Sequence, residues 1–213
     1  MAQTGDDGLG QGLSGGGSAD ERNEAFRLLR FSHIFASAVR EMLEVKPLRE
    51  ASPSPLTLSQ FHLLMLMSLN GSHQVGEVAD FLGVSPPAAS KTIDKLERLG
   101  LVVRAPSRGD RRATLLSVSA EGRRLVERCV KLKTGRMSPL LKGFLPAEIE
   151  QFVRFLERSS MLLLDSEPSG HGFCLRCAAY IDTGCPVGDI RGGCPHRKGR
   201  ESGAAGVGTE EVS

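Results

Sequence analysis

The stretch "VGEVADFLGVSPPAASKTIDKLERLGLVVR", Val75 to Arg104, decides the fold. Its first part predicts a short helix with Val75, Val78, Ala79 and Leu82 facing inward, ended by Gly83. A second helix begins at once. Ser85 stands at its N-cap and Pro86 at its first position, where a missing amide hydrogen costs nothing. Ala89, Ile93, Leu96 and Gly100 fall on one face of this helix; Pro87, Ser90, Lys91, Asp94 and Lys95 fall on the other. Two short helices joined by a tight glycine-containing turn, the second with a polar and partly basic face, are the pattern of a helix-turn-helix reader of the DNA major groove.

The residues that follow extend the pattern. Leu101 to Arg104 and Ala113 to Val118 predict two strands, with "PSRGD" as the loop of a hairpin. Its tip and return arm carry Arg108, Arg111 and Arg112. Between Lys91 and Arg112 there are seven Lys/Arg against three acids, a local charge of +4 in a chain whose total is +2. The basic charge is concentrated where a nucleic-acid surface would lie.

Working outward, "TLSQFHLLMLMSLNG" predicts a helix with Thr57 as N-cap, Gln60 in capping-box spacing and Gly71 just past its end. Phe61, Leu64, Met65 and Leu69 form its core stripe; His62, a single histidine among them, reads as surface or core filling. Upstream, Phe26, Leu29, Ile34, Ala38, Met42 and Val45 recur near the helical period from about Ala19. That helix is expected to end before Pro47, and its wide apolar face suggests a covering partner surface. Downstream, Ser119 caps a helix through Leu125, Val126, Val130 and Leu132. A further helix, "AEIEQFVRFLERSSMLLLD", follows. Cys129 sits within the first of these two and reads as a small core hydrophobe.

The order helix, helix, short helix, recognition helix, hairpin, helix, helix resembles the MarR family of bacterial winged helix-turn-helix regulators. The residues that carry the resemblance are Leu56 to Leu64, Val75 to Arg104 and Arg108 to Gly122. The wing supplies the strongest part: Asp110 and Arg112, then Val118 to Gly122 as a looser match to a Leu-Thr-x-x-Gly element. The resemblance implies a mainly α fold with a small β-hairpin wing over residues 20–165. The DNA-binding lobe would span about 56–118, and dimerisation helices about 20–46 and 119–165. It also implies a homodimer whose two recognition helices enter successive major grooves of a pseudo-palindromic site, about 34 Å apart. On this reading Ser85 and the first amides hold phosphate. Pro87, Ser90, Lys91 and Lys95 meet bases and backbone. Arg108, Arg111 and Arg112 reach the minor groove or its phosphates, with Asp110 orienting Arg112. A small organic effector between the dimer helices and the DNA-binding lobe is a further expectation.

Both ends of the chain differ in composition. Residues 1–19 are rich in Gly and Ser and read as a disordered tail. Gly10, Gly12 and Gly15 spell G-x-G-x-x-G there, but no strand precedes and no helix opens within it, as a dinucleotide site requires. Residues 166–199 hold four of the five cysteines, Cys174, Cys177, Cys185 and Cys194, spaced C-x2-C-x7-C-x8-C. The stretch has few apolar residues, so four thiolates on one metal would supply the constraint that a core cannot. Zinc suits the C-x2-C knuckle, while the Cys-Pro pairs at 185 and 194 are similar to ferredoxin runs that hold [4Fe–4S] clusters. Neither pattern matches in full, His171 or His196 could stand in for a cysteine, and the alternative is a metal-free tail of thiols. Residues 200–213 read as a frayed C-terminus.

The composition, 40% hydrophobic and 24% charged, suits a soluble globular protein. With no apolar run of membrane-spanning length and no leader pattern, the expectation is a cytoplasmic protein without a membrane. No H-E-x-x-H, G-x-S-x-G or P-loop occurs, so an enzyme is not expected. Two other classes remain beside the regulator: a winged helix that docks a protein instead of DNA, and a redox protein whose active part is the tail.

Overall fold

The computed structural model describes residues 18–106 and 114–166. The chain divides into two compact units at Glu41 and Met42. The first contains α1, Ala19–Val39, which begins with a capping box not anticipated above. The Glu21 amide donates to Ser18 Oγ (3.2 Å), and the Ser18 amide donates to Glu21 Oε2 (2.7 Å). The apolar residues of α1 are exposed, among them Phe26, Leu29, Phe31 and Ile34.

The helical path does not stop before Pro47. It opens into a π-helical turn, Arg40–Val45, and resumes as α2, Lys46–Ala51. Proline has no amide hydrogen and its ring crowds the turn before it, so a helix that continues through proline must loosen just upstream. The loosened Met42 carbonyl accepts from the Arg136 guanidinium (3.1 Å), which also pairs with Glu50.

The second unit continues with α3 (Leu58–Asn70), α4 (Val75–Leu82), α5 (Pro86–Arg98), β1 (Val102–Pro106), β2 (Thr114–Val118), α6 (Ala120–Lys142) and α7 (Pro146–Ser166). α3 is its centre. Every residue from Gln60 to Met67 is buried, so this helix is covered all round rather than along one stripe. Its capping box is formed: the Gln60 amide donates to Thr57 Oγ1 (3.2 Å), and Gln60 Oε1 accepts from the Thr57 amide (3.1 Å). Leu69, expected in the core, is exposed on the last turn. His62 is buried beside Phe61 and fills the core.

α4 ends at Gly83 in the left-handed conformation (φ 64°). Val78, Ala79 and Phe81 are its buried residues; Phe81, unassigned from the sequence, is fully covered. α5 buries Ala89, Ile93 and Leu96 as expected. Gly100 is not on that face. It lies past the helix end at φ 69°, exposed, where a residue without Cβ turns the chain into β1.

β1 and β2 pair antiparallel, Val102 with Val118 through Pro106 with Thr114. A third backbone contact, unseen in the sequence, joins His73 to Leu116. His73 N–H donates to the Leu116 carbonyl (2.9 Å), and Leu116 N–H donates to the His73 carbonyl (2.8 Å). α6 packs on α2, α3 and β2. Ser119 caps it, accepting from Gly122 N–H (3.0 Å) and donating to the Gly100 carbonyl (2.6 Å). Residues 107–113 and 167–213 lie outside the described residues, as do residues 1–17 of the tail expected over 1–19.

Candidate nucleic-acid interface

α5 presents the face expected of a recognition helix. Ser85, Pro86, Pro87, Lys91 and Asp94 are exposed, and Ser90 and Lys95 are half-buried. Ser85 occupies the N-cap, yet its hydroxyl makes no capping hydrogen bond. Of the second and third helical amides, from which an N-cap oxygen ordinarily accepts, Pro87 has removed the second and only that of Ala88 remains. The two prolines also leave the start of α5 with fewer free amides for a phosphate than an ordinary helix offers.

The cations on this face are not equivalent. Lys91 has no hydrogen bond or ion pair among the described residues and is exposed. Lys95 is engaged by the protein, its Nζ donating to the Pro55 carbonyl and to Gln60 Oε1 (3.3 Å each). It therefore ties α5 to the first turn of α3, and the same Gln60 oxygen completes the α3 capping box. Arg104, on β1, pairs with Asp94 and lies 3.2 Å from Glu97. Part of the positive charge counted from the sequence is thus matched within the lobe. Arg108, Asp110, Arg111 and Arg112 lie outside the described residues, between the ends of β1 and β2.

The sequence reading placed Asp94 on the polar face of α5 and Gln60 in the α3 capping box, but it assigned neither Glu97 nor the links from Asp94 and Glu97 to Arg104 and from Gln60 to Lys95. A signal for the Arg104 links existed: acids three apart on one helix, followed by an arginine on the next strand.

α2 and α6 border an open, mostly apolar groove of roughly 480 Å³, lined by Glu50, Ala51, Arg128, Lys131, Leu132, Gly135 and Arg136. Arg128 also pairs with Glu121 (3.2 Å), and with Arg124 it holds the Glu121 carboxyl below its usual range. Cys129, on the same helix, is buried with its thiol directed at the Pro47 carbonyl (3.7 Å). Burial pushes its pKa up to about 11, so it is an unreactive core thiol.

Among the described residues no three His, Cys, Asp or Glu side chains gather as metal ligands. Cys174, Cys177, Cys185 and Cys194, with His171 and His196, lie outside the described residues. No described helix is long and apolar enough to cross a membrane.

Two helices at a tight left-handed glycine turn, then a hairpin returning beside the second of them, define a winged helix-turn-helix protein. Comparison with known proteins narrows the fold. Residues 54–113 match the model of the MarR family. The YusO protein of Bacillus subtilis is similar in structure (TM-score 0.54, 25% identity, 68% of this chain and 99% of that one). So is RV1404 of Mycobacterium tuberculosis (0.56, 23%, 70% and 97%). A MarR family protein of Bacillus stearothermophilus gives 0.52 at 20% identity, over 68% and 97%. The fold is that of MarR-family transcription regulators, which are not enzymes.

Proposed function

We propose that this chain is a sequence-specific DNA-binding transcriptional regulator, a repressor, that grips a pseudo-palindromic operator as a homodimer. One observation carries the reading: the exposed face of α5, where Lys91 has no hydrogen bond or ion pair among the described residues, stands beside strands that lead into the arginine-rich segment 108–112. α5 enters the major groove, and Arg108, Arg111 and Arg112 meet the flanking phosphates or minor groove. A second copy covers the apolar side chains that α1 and α7 expose, such as Phe26, Ile34, Phe152 and Phe155. The groove between α2 and α6 suits a small amphipathic effector, its apolar floor rimmed by Arg128 and Arg136.

The cysteine tail holds one metal centre under this reading, zinc or a [4Fe–4S] cluster, on Cys174, Cys177, Cys185 and Cys194. A cluster would let redox state bias DNA affinity; zinc would make the tail a structural staple. Metal analysis and an absorption spectrum of anaerobically purified protein separate the two, a broad band near ~400 nm marking the cluster. The DNA-binding reading is tested by selection from a pool of genomic fragments. Enrichment of a two-fold related sequence by the wild-type protein, lost in Arg112→Ala, supports it. An unenriched pool refutes it.

A further inference from the structure

We propose that Arg104 is a positioning residue for DNA binding. Held by Asp94 and Glu97 of the recognition helix, it fixes the root of the wing against α5, so that the two acids assist DNA binding although DNA is a polyanion. The inference rests on the DNA-binding reading above.

The geometry is a three-charge clamp. Asp94 and Glu97 are three residues apart and lie on one face of α5. The Arg104 guanidinium answers both, one nitrogen on Asp94 Oδ1 and Nε on Glu97 Oε2 (3.2 Å). A planar fork with donors in fixed directions can serve two carboxylates at once, and a lysine ammonium fixes no such plane. The backbone beneath Arg104 is also anchored. Its register partner is Leu116, fully buried, whose amide and carbonyl are both bonded to His73. Four residues beyond Arg104 begins the run that carries Arg108, Arg111 and Arg112. β1 leads from the clamp toward that run in the sequence. On the other flank, Lys95 ties α5 to the Pro55 carbonyl and Gln60. α5 is thereby held to α3 on one side and to the wing on the other.

Stability is a poor explanation for the clamp. All three side chains are a third to a half exposed, and ion pairs that wet contribute little to folding. Two acids on a DNA-facing helix would ordinarily weaken binding by repulsion. Orientation of the wing is the service that offsets that cost.

The test turns on sign. The double variant Asp94→Asn with Glu97→Gln makes the lobe two charges more positive. If the acids merely face DNA, it binds more tightly and with a steeper salt dependence. If they position Arg104, it binds roughly tenfold more weakly and with a shallower salt dependence, although no cation has been removed. Both constants are read by fluorescence anisotropy on the duplex enriched by the wild-type protein, across a salt series, with thermal melting to verify folding. Arg104→Lys, which keeps the charge and loses the fork, is expected to bind more weakly than the wild-type protein and less weakly than the double variant. Equal or tighter binding by the double variant, or wild-type behaviour by Arg104→Lys, overturns the positioning role alone. A wild-type protein that enriches no duplex overturns the DNA-binding reading, and this role with it.

Discussion

A β-carbon at position 122 would lie 2.3 Å from the Leu101 carbonyl oxygen and 2.6 Å from Val118 Cγ2. Gly122 is where the start of α6 presses on the backbone leading into the hairpin, which gives the Gly of the quoted wing element a physical reason. Gly122→Ala is expected to cost about 1–3 kcal/mol, read as a lowered melting temperature, because backbone must move to admit the methyl group. Cys129 gives a second prediction. Its thiol is raised to about 11, so its neutral form contributes stability below the ordinary thiol pKa, and that contribution fades as pH rises from there through about 11. At neutral pH iodoacetamide should leave the Cys129 peptide unmodified until denaturant is added, as peptide mapping would show. Single residues of this kind were only partly legible. Cys129 follows from its place in an apolar helical pattern, whereas the role of Gly122 depends on Leu101, which lies 21 positions away in sequence.

At the scale of elements, α3, α4 and α5 were readable because their signals are local. Capping residues, terminating glycines and apolar spacing all lie within each helix. What was missed is what needs a partner. Pro47 reads as a stop, but a π-helical turn carries the path through it. His73 carries no strand signal and becomes one only against Leu116. The charge count from Lys91 to Arg112 was legible; the sharing of that charge was not, since Arg104 and Lys95 find acceptors on other elements. Lys91 is left as the cation of α5 most available to DNA. Lys91→Ala should weaken binding and lower the salt slope by about one if it meets phosphate, measured by anisotropy over a salt series. Loss of discrimination at a single base pair, with the slope unchanged, would instead assign it to a base edge.

For the whole molecule, the two helices nearest the ends of the described chain carry the least covered apolar surface. Phe26, Leu29 and Ile34 of α1 are more than half exposed, as are Val153, Phe155 and Leu162 of α7. Their helical periodicity was legible, and so was the inference that something covers them; what covers them is not written in one chain's pattern. Phe155→Glu is expected to shift the protein from dimer to monomer in sedimentation equilibrium, and to reduce operator binding with it, because each half-site then binds alone. The central claim, that two copies read DNA through α5 and the wing, is tested most directly by a hydroxyl-radical footprint on the enriched fragment. The account predicts two protected patches related by two-fold symmetry, with centres about 10 base pairs apart. A single unsymmetrical patch, or uniform protection that follows no sequence, would contradict it.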